Sequence, residues 1–218
     1  MQMVSGIRII CMVGIFGVLA ILTGFSARSS SDDAKPPENN SAEMKRIFDE
    51  DQADRQANMA AMISQQLLDW TNKIGPRDAQ RRTQVIDLLS RGVLHTGQDF
   101  EEASFIFQHG DNPDDYLLAH TLATVAIAKG STKSRWIAAA TLDRYLQKIQ
   151  QPQIYGTQYS KGPVKGDLFT QEPYNRKLVP DSLRTVMCVP DQAAQRQVLE
   201  LLKRGKEPAE VGKSSDCS

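Results

Sequence analysis

From Ser41 onward, apolar residues recur at steps of three and four. Met44, Ile47, Phe48, Met59, Met62, Ile63, Leu67 and Trp70 form the first such series, a spacing that gathers side chains on one helical face. It predicts a long amphipathic helix, or two stacked end to end, stopped at Gly75-Pro76. A second helix is expected over 77–91, with Val85, Ile86, Leu88 and Leu89 inward and Gly92 as the C-terminal stop. Thr96-Gly97-Gln98-Asp99 has the form of a capped start, leading a third helix with Phe100, Ala103, Phe105, Ile106 and Phe107. Asn112-Pro113-Asp114-Asp115 opens a fourth, since proline and acids suit a first turn. That helix, over 116–129, is apolar nearly all round, which predicts a central position. Ser131 or Thr132 would cap a fifth helix through Trp136, Ile137, Leu142, Tyr145, Leu146 and Ile149, ended by Pro152.

Beyond Tyr155 the pattern breaks. Gly156, Gly162, Pro163, Gly166, Pro173, Pro180 and Pro190 imply an irregular segment, longer than ordinary loops. A last helix over 191–204 precedes a polar tail. The predicted fold is therefore all-α: a compact bundle of about five to six helices with an irregular C-terminal segment. Its divisions are a helical core over 41–160, an irregular wrap over 161–190, a helix over 191–205 and a disordered tail over 206–218.

The N-terminus carries a different signal. Arg8 precedes an uncharged apolar stretch from Ile9 to Phe25, and a serine-rich segment follows. This is the layout of an export signal, with Gly24 and Ser26 offering a cleavage site, or of a single-span anchor. Residues 1–27 are read as signal peptide or membrane anchor and 28–40 as a flexible linker. Cys11 is then a small hydrophobe inside that stretch. Cys188 and Cys217 remain as a pair that an oxidising compartment would permit to bond. The expected location is periplasmic or secreted, or inner-membrane anchored with the domain outside the cytoplasm.

In the 218-residue chain, 26 basic and 26 acidic residues cancel. There is no electrostatic reason to expect nucleic acid, and membrane contact is expected only through the N-terminal segment. No HExxH, GxSxG, Walker loop or dinucleotide fingerprint occurs. No metal and no cofactor is expected, and oligomeric state is left open.

Polar residues fall where helices should be apolar, and burying them requires partners. Asp51 or Gln52 shares one helical face with Arg55, and Asp51 and Arg55 can pair there. Asp143 faces inward on the fifth helix and needs a donor, with Arg55, His109 or His120 as candidates. Arg144, turned roughly 100° away, either clamps a loop carbonyl or lies at the surface. Gln108, His109 and Asp111 sit at a helix junction, where His109 with Asp111 or Asp143 could act as an acid/base pair or serve as capping. His120 is expected to satisfy a core hydrogen bond and His95 to face solvent. Gln153, Tyr155, Gly156, Thr157 and Gln158 form a turn suited equally to binding a polar ligand and to bracing helices.

Taken in order, Asp51-Gln52-x-x-Arg55, Arg91-Gly92, Thr96-Gly97, Gln108-His109-Gly110-x-x-Pro113-x-Asp115, Ala138-Ala139-x-x-Leu142-Asp143-Arg144 and Gln153-x-Tyr155-Gly156-Thr157-Gln158 resemble a bacterial family of small helical, often exported domains of unknown function. The resemblance spans 41–158 and implies domain limits but no mechanism. Three functions follow as expectations. The first is an envelope domain binding a polar ligand or protein partner through Asp51, Gln52, Arg55, Gln108, Arg144, Gln153, Tyr155, Thr157 and Gln158. The second is a hydrolase-like enzyme using His109 with Asp111 or Asp143. The third is a structural module with a buried polar network.

Overall fold

The computed structural model of the chain describes residues 40–60, 64–161 and 168–206, with the side chains of 57–72 outside that description. The apolar N-terminal stretch and Cys217 also lie outside it. Among the described residues the protein is helical, in the order α1 (Ala42–Ala60), α2 (Ser64–Ser90), α3 (Gly97–Phe107), α4 (Pro113–Ala128), α5 (Ser134–Lys148), α6 (Asp181–Val186) and α7 (Gln192–Lys203). A two-residue antiparallel pair, β1 (Ser160–Lys161) with β2 (Phe169–Thr170), interrupts the wrap between α5 and α6.

Much of the core falls on the three-and-four spacing, although Met59, Met62, Ile63, Leu67 and Trp70 lie outside the described side chains. Met44 and Ile47 of α1 meet Val85 and Leu88 of α2, Ala103, Ile106 and Phe107 of α3, and Ala119 and Leu122 of α4. A second cluster joins Ala123 of α4 to Ile137 and Ala138 of α5, with Met187 packed on it. Thr96 caps α3 and Asn112 caps α4, each completing a reciprocal capping box with an aspartate three residues on. Asp99 does more than cap: its carboxylate, fully buried, also accepts from the backbone N–H of Ser41 at 2.7 Å and His95 at 2.9 Å. It ties the start of α1 to the start of α3. Burial works to raise the pKa of Asp99, but three backbone donors together hold it below the ordinary value.

Four expectations are corrected. Gly75-Pro76 does not end a helix, because α2 runs through Pro76. An interior proline costs roughly 3 kcal/mol, and the turns around it are held from outside. Ile74 and Asp78 are buried, Arg77 pairs with Asp54 at 2.7 Å, and Asp78 pairs with Arg55 at 2.7 Å. Helix α4 is flanked by α3 and α5 but is not enclosed, since Leu117, Thr121 and Thr124 are exposed. Its threonine hydroxyls donate back to the carbonyls of Leu117 and His120, each at 2.9 Å, so that face carries no unsatisfied group. Ser131 does not cap α5; its hydroxyl turns to Glu101 of α3, which Ser134 also reaches at 3.0 Å. Ile86, Trp136 and Ile149, all expected inward, are exposed.

The irregular segment is a structured wrap that includes α6. Arg184 of α6 is completely buried. Its guanidinium donates to the carbonyls of Ile154, Tyr155 and Val179 and to the hydroxyl of Tyr174, and it reaches Asp181 at 3.2 Å. Cys188 is disulfide-bonded. No helix among the described residues is long and apolar enough to cross a membrane.

Candidate functional site

Helices α1, α2, α3 and α5 and the loop after α5 bring one set of polar side chains together. Asp51 is buried on α1. Its Oδ1 accepts from Arg55 at 3.0 Å, its Oδ2 accepts from Gln52 at 3.0 Å, and Arg81 of α2 stands 3.6 Å away. Arg55 and Arg81 both also donate to Asp78, at 2.7 and 3.1 Å. Burial lifts the pKa of Asp51; Arg55 and Arg81 pull it back, and Asp78 adds to the lift. The expected Asp51–Arg55 pair is thus one edge of a lattice of alternating charge between α1 and α2. Arg81, Asp54 and Asp78 were not among the sequence candidates. The signal available was the run Arg77, Asp78, Arg81, hidden by reading Gly75-Pro76 as a helix end.

His109 projects from the α3–α4 junction onto this lattice, with Nε2 3.6 Å from Asp51 Oδ2. Burial first, and then the positive charges of Arg55, Arg144, Arg81 and Arg82, push its pKa down to about 3. The ring is therefore neutral at physiological pH, and its approach to Asp51 is not an ion pair. Because the unfolded histidine binds a proton below about pH 6.5 and the folded one does not until about 3, His109 makes the fold lose stability as pH falls through that window. An NMR titration of the imidazole should find no protonation between pH 8 and roughly 5; a midpoint near the ordinary histidine value would contradict this placement.

The acid/base partners expected for His109 lie elsewhere. The Asp111 side chain is 93% exposed and reaches only Arg82, at 4.0 Å. Asp143 is fully buried and fully occupied: it accepts from the backbone N–H of Ile154 at 2.8 Å, of Tyr155 at 3.0 Å and of Thr157 at 2.9 Å, and from the Thr157 hydroxyl at 2.8 Å. Neither Arg55 nor a histidine supplies its donors. A buried carboxylate can be satisfied by a nest of backbone N–H groups, which leaves no trace in side-chain composition. His120 Nδ1 lies 2.9 Å from the carbonyl of Ala138, the core bond expected of it.

The turn after α5 is a brace along most of its length. Gln153 is fully buried, its amide donating to the carbonyls of Gln158 and Gln171 and accepting from the Gln158 N–H. The carbonyl of Tyr155 accepts from Arg184, Tyr174 and Gln195. Gly156 has φ +82°, and a Cβ there would come within 2.2 Å of the Gln195 side chain, so glycine is required twice over. Gln153 and Thr157, predicted as ligand contacts, have their polar atoms consumed inside the fold. Gln158, half-buried beside Arg144, is committed as well: its side-chain oxygen accepts from Arg144 Nε and its nitrogen donates to the Ala140 carbonyl and Thr157 Oγ1.

Arg144 is the odd member of the set. Its Nη1 donates to the carbonyl of Gln108 at 2.8 Å and its Nε to the side chain of Gln158 at 3.1 Å. It has no carboxylate partner among the described residues, and Nη2 has no partner there at all. Burial lowers its pKa from the ordinary value, only partly offset by Tyr116, while a guanidinium still keeps its charge. Arg144, Lys148, Tyr116, Gln147 and Gln158 line an open depression of about 300 Å³. Tyr116, Gln147 and Lys148 were missed, since nothing in their local sequence distinguishes them from an ordinary helix surface.

No protein-family model matches the chain, and no curated protein or solved structure matches it either. Among the described residues no group of three or more His, Cys, Asp or Glu side chains is placed to hold a metal ion.

Proposed function

We propose that the chain is an envelope domain that binds a small polar ligand through an anionic group, received at Arg144. The observation that carries this reading is the unbalanced charge. Arg55 and Arg81 are neutralised by Asp51, Asp54 and Asp78, whereas Arg144 is largely withdrawn from water with only neutral acceptors. Holding a guanidinium this way costs desolvation energy without a compensating acid, and an incoming anion would supply the missing partner. Gln108 and Gln158 fix the guanidinium plane in advance, which lowers the ordering cost of binding.

Four of the six motif segments that carry the resemblance supply residues of this centre: Asp51 and Arg55, Gln108 and His109, Asp143 and Arg144, and Gln158. Export is proposed on the apolar stretch from Ile9 to Phe25, to which the disulfide at Cys188 lends support. The hydrolase alternative loses support at His109. A general base works best when its pKa lies near the operating pH, and one held at about 3 is a weak base there.

Arg144→Gln should reduce binding of a panel of small anions by roughly tenfold or more, measured by calorimetry on the full chain. Unchanged binding in that variant would refute the assignment.

A further inference from the structure

We infer that the group received at Arg144 is a dianionic oxyanion of the phosphate monoester class rather than a carboxylate. This rests on the anion-binding reading and narrows it. The depression presents two cations and no acid. Among the described residues Arg144 offers an unoccupied Nη2 and Lys148 makes no ion pair, its ammonium standing 6.0 Å from the centre of the Tyr116 ring. One carboxylate would neutralise only half of that charge; a dianion neutralises all of it.

The remaining lining fits the same class. Burial raises the pKa of Tyr116, so its hydroxyl stays protonated and available as a donor. The Gln158 amide is already committed, its nitrogen donating to the carbonyl of Ala140 at 3.3 Å and to Thr157 Oγ1 at 2.9 Å, so it positions Arg144 instead of reading the ligand. A volume of about 300 Å³ sits at the small end of ligand pockets, enough for a headgroup with the rest of the ester outside. Phosphate also suits an arginine fork already fixed in one plane.

The groups that could titrate around this space are few. Tyr116 faces it from α4 and Lys148 and Arg144 from α5. His109 is close enough to feel the charge of Arg144. Asp111 and Asp115, close enough to act on Tyr116, lie 4.0 and 3.7 Å from Arg82. His109 stays neutral between pH 8 and about 5, so the ligand's own second ionisation, near pH 6 for a phosphate monoester, should set the pH dependence.

The test is calorimetry on the full chain with glycerol 3-phosphate, sulfate and acetate. Glycerol 3-phosphate and sulfate should bind roughly tenfold or more tightly than acetate. Affinity for the phosphate should rise as pH is raised through about 6, while sulfate, dianionic throughout, should show no such rise. Lys148→Gln, which removes no hydrogen bond found among the described residues, should weaken both dianions several-fold and acetate less. Phosphatidylcholine vesicles with and without phosphatidic acid then distinguish the source: capture that needs phosphatidic acid and Arg144 marks a lipid headgroup, and retention of glycerol 3-phosphate alone marks a soluble ester. Acetate binding as tight as phosphate, or phosphate affinity flat across pH, overturns the dianion inference. If that acetate binding still depends on Arg144, the anion site itself stands; if no anion binds at all, both fall.

Discussion

Arg184→Ala is expected to lower the stability of the protein by about 3–5 kcal/mol. The side chain is fully buried, and removing it strips donors from the carbonyls of Ile154, Tyr155 and Val179 at once. The Tyr155 carbonyl keeps Tyr174 and Gln195 as donors, but those of Ile154 and Val179 lose theirs, and a buried polar group left unmatched costs roughly 1–3 kcal/mol. The guanidinium volume is lost as well, leaving a void against the Tyr174 ring, whose centre lies 5.7 Å from the Arg184 carbon. Arg184→Lys should rescue little, because one ammonium cannot reach acceptors arranged around a planar fork. Denaturant unfolding followed by circular dichroism measures the loss. Limited proteolysis should find new cleavage between Tyr155 and Val189 in the variant before the α1–α5 bundle opens. A variant as stable as the parent would show that the wrap is held by something other than this residue.

Asp143→Ala should be nearly as damaging, about 3–4 kcal/mol, and it should also abolish anion binding. The carboxylate accepts three backbone N–H groups and the Thr157 hydroxyl, so the Ile154–Gln158 turn takes its shape from this one side chain. Asp143→Asn is not a mild substitute: both oxygens face donors, and an amide would turn an NH₂ group toward another N–H. Once the turn relaxes, Gln158 no longer holds Arg144 Nε, and the preorganised guanidinium is lost along with stability. The check pairs a denaturation curve with calorimetry at a temperature where the variant remains folded. A destabilised Asp143→Asn protein that keeps full anion affinity would separate the turn from the site.

The helices were legible in the sequence because amphipathic spacing and capping residues act locally. Thr96 with Asp99 and Asn112 with Asp115 announce the starts of α3 and α4, and the structure realises both boxes. Pro76 misled for the complementary reason: local chemistry argues for a stop, but ion pairs from α1 hold the helix on either side of it. The same limit explains the site. Sequence flagged Asp51, Arg55, His109, Asp143, Arg144 and Gln158 as polar groups out of place, and the structure draws them to neighbouring positions. It could not assign their partners, since those depend on contacts between distant stretches of chain, as between Arg144 and the Gln108 carbonyl or His109 and Asp51. For Asp143 the sequence points to a side-chain donor, because backbone donors carry no sequence signature. Arg184, Gln171 and Gln195 were invisible altogether; they lie in a segment whose prolines and glycines suggested only irregularity.

The most direct measurement follows the arginine side-chain Nε–Hε resonances by NMR while sulfate is added to the full chain. The account predicts a saturable shift at Arg144, with Arg55 and Arg81, already paired with Asp51, Asp54 and Asp78, moving little. Shifts of equal size at all the arginines, or none that saturates at Arg144, would contradict it.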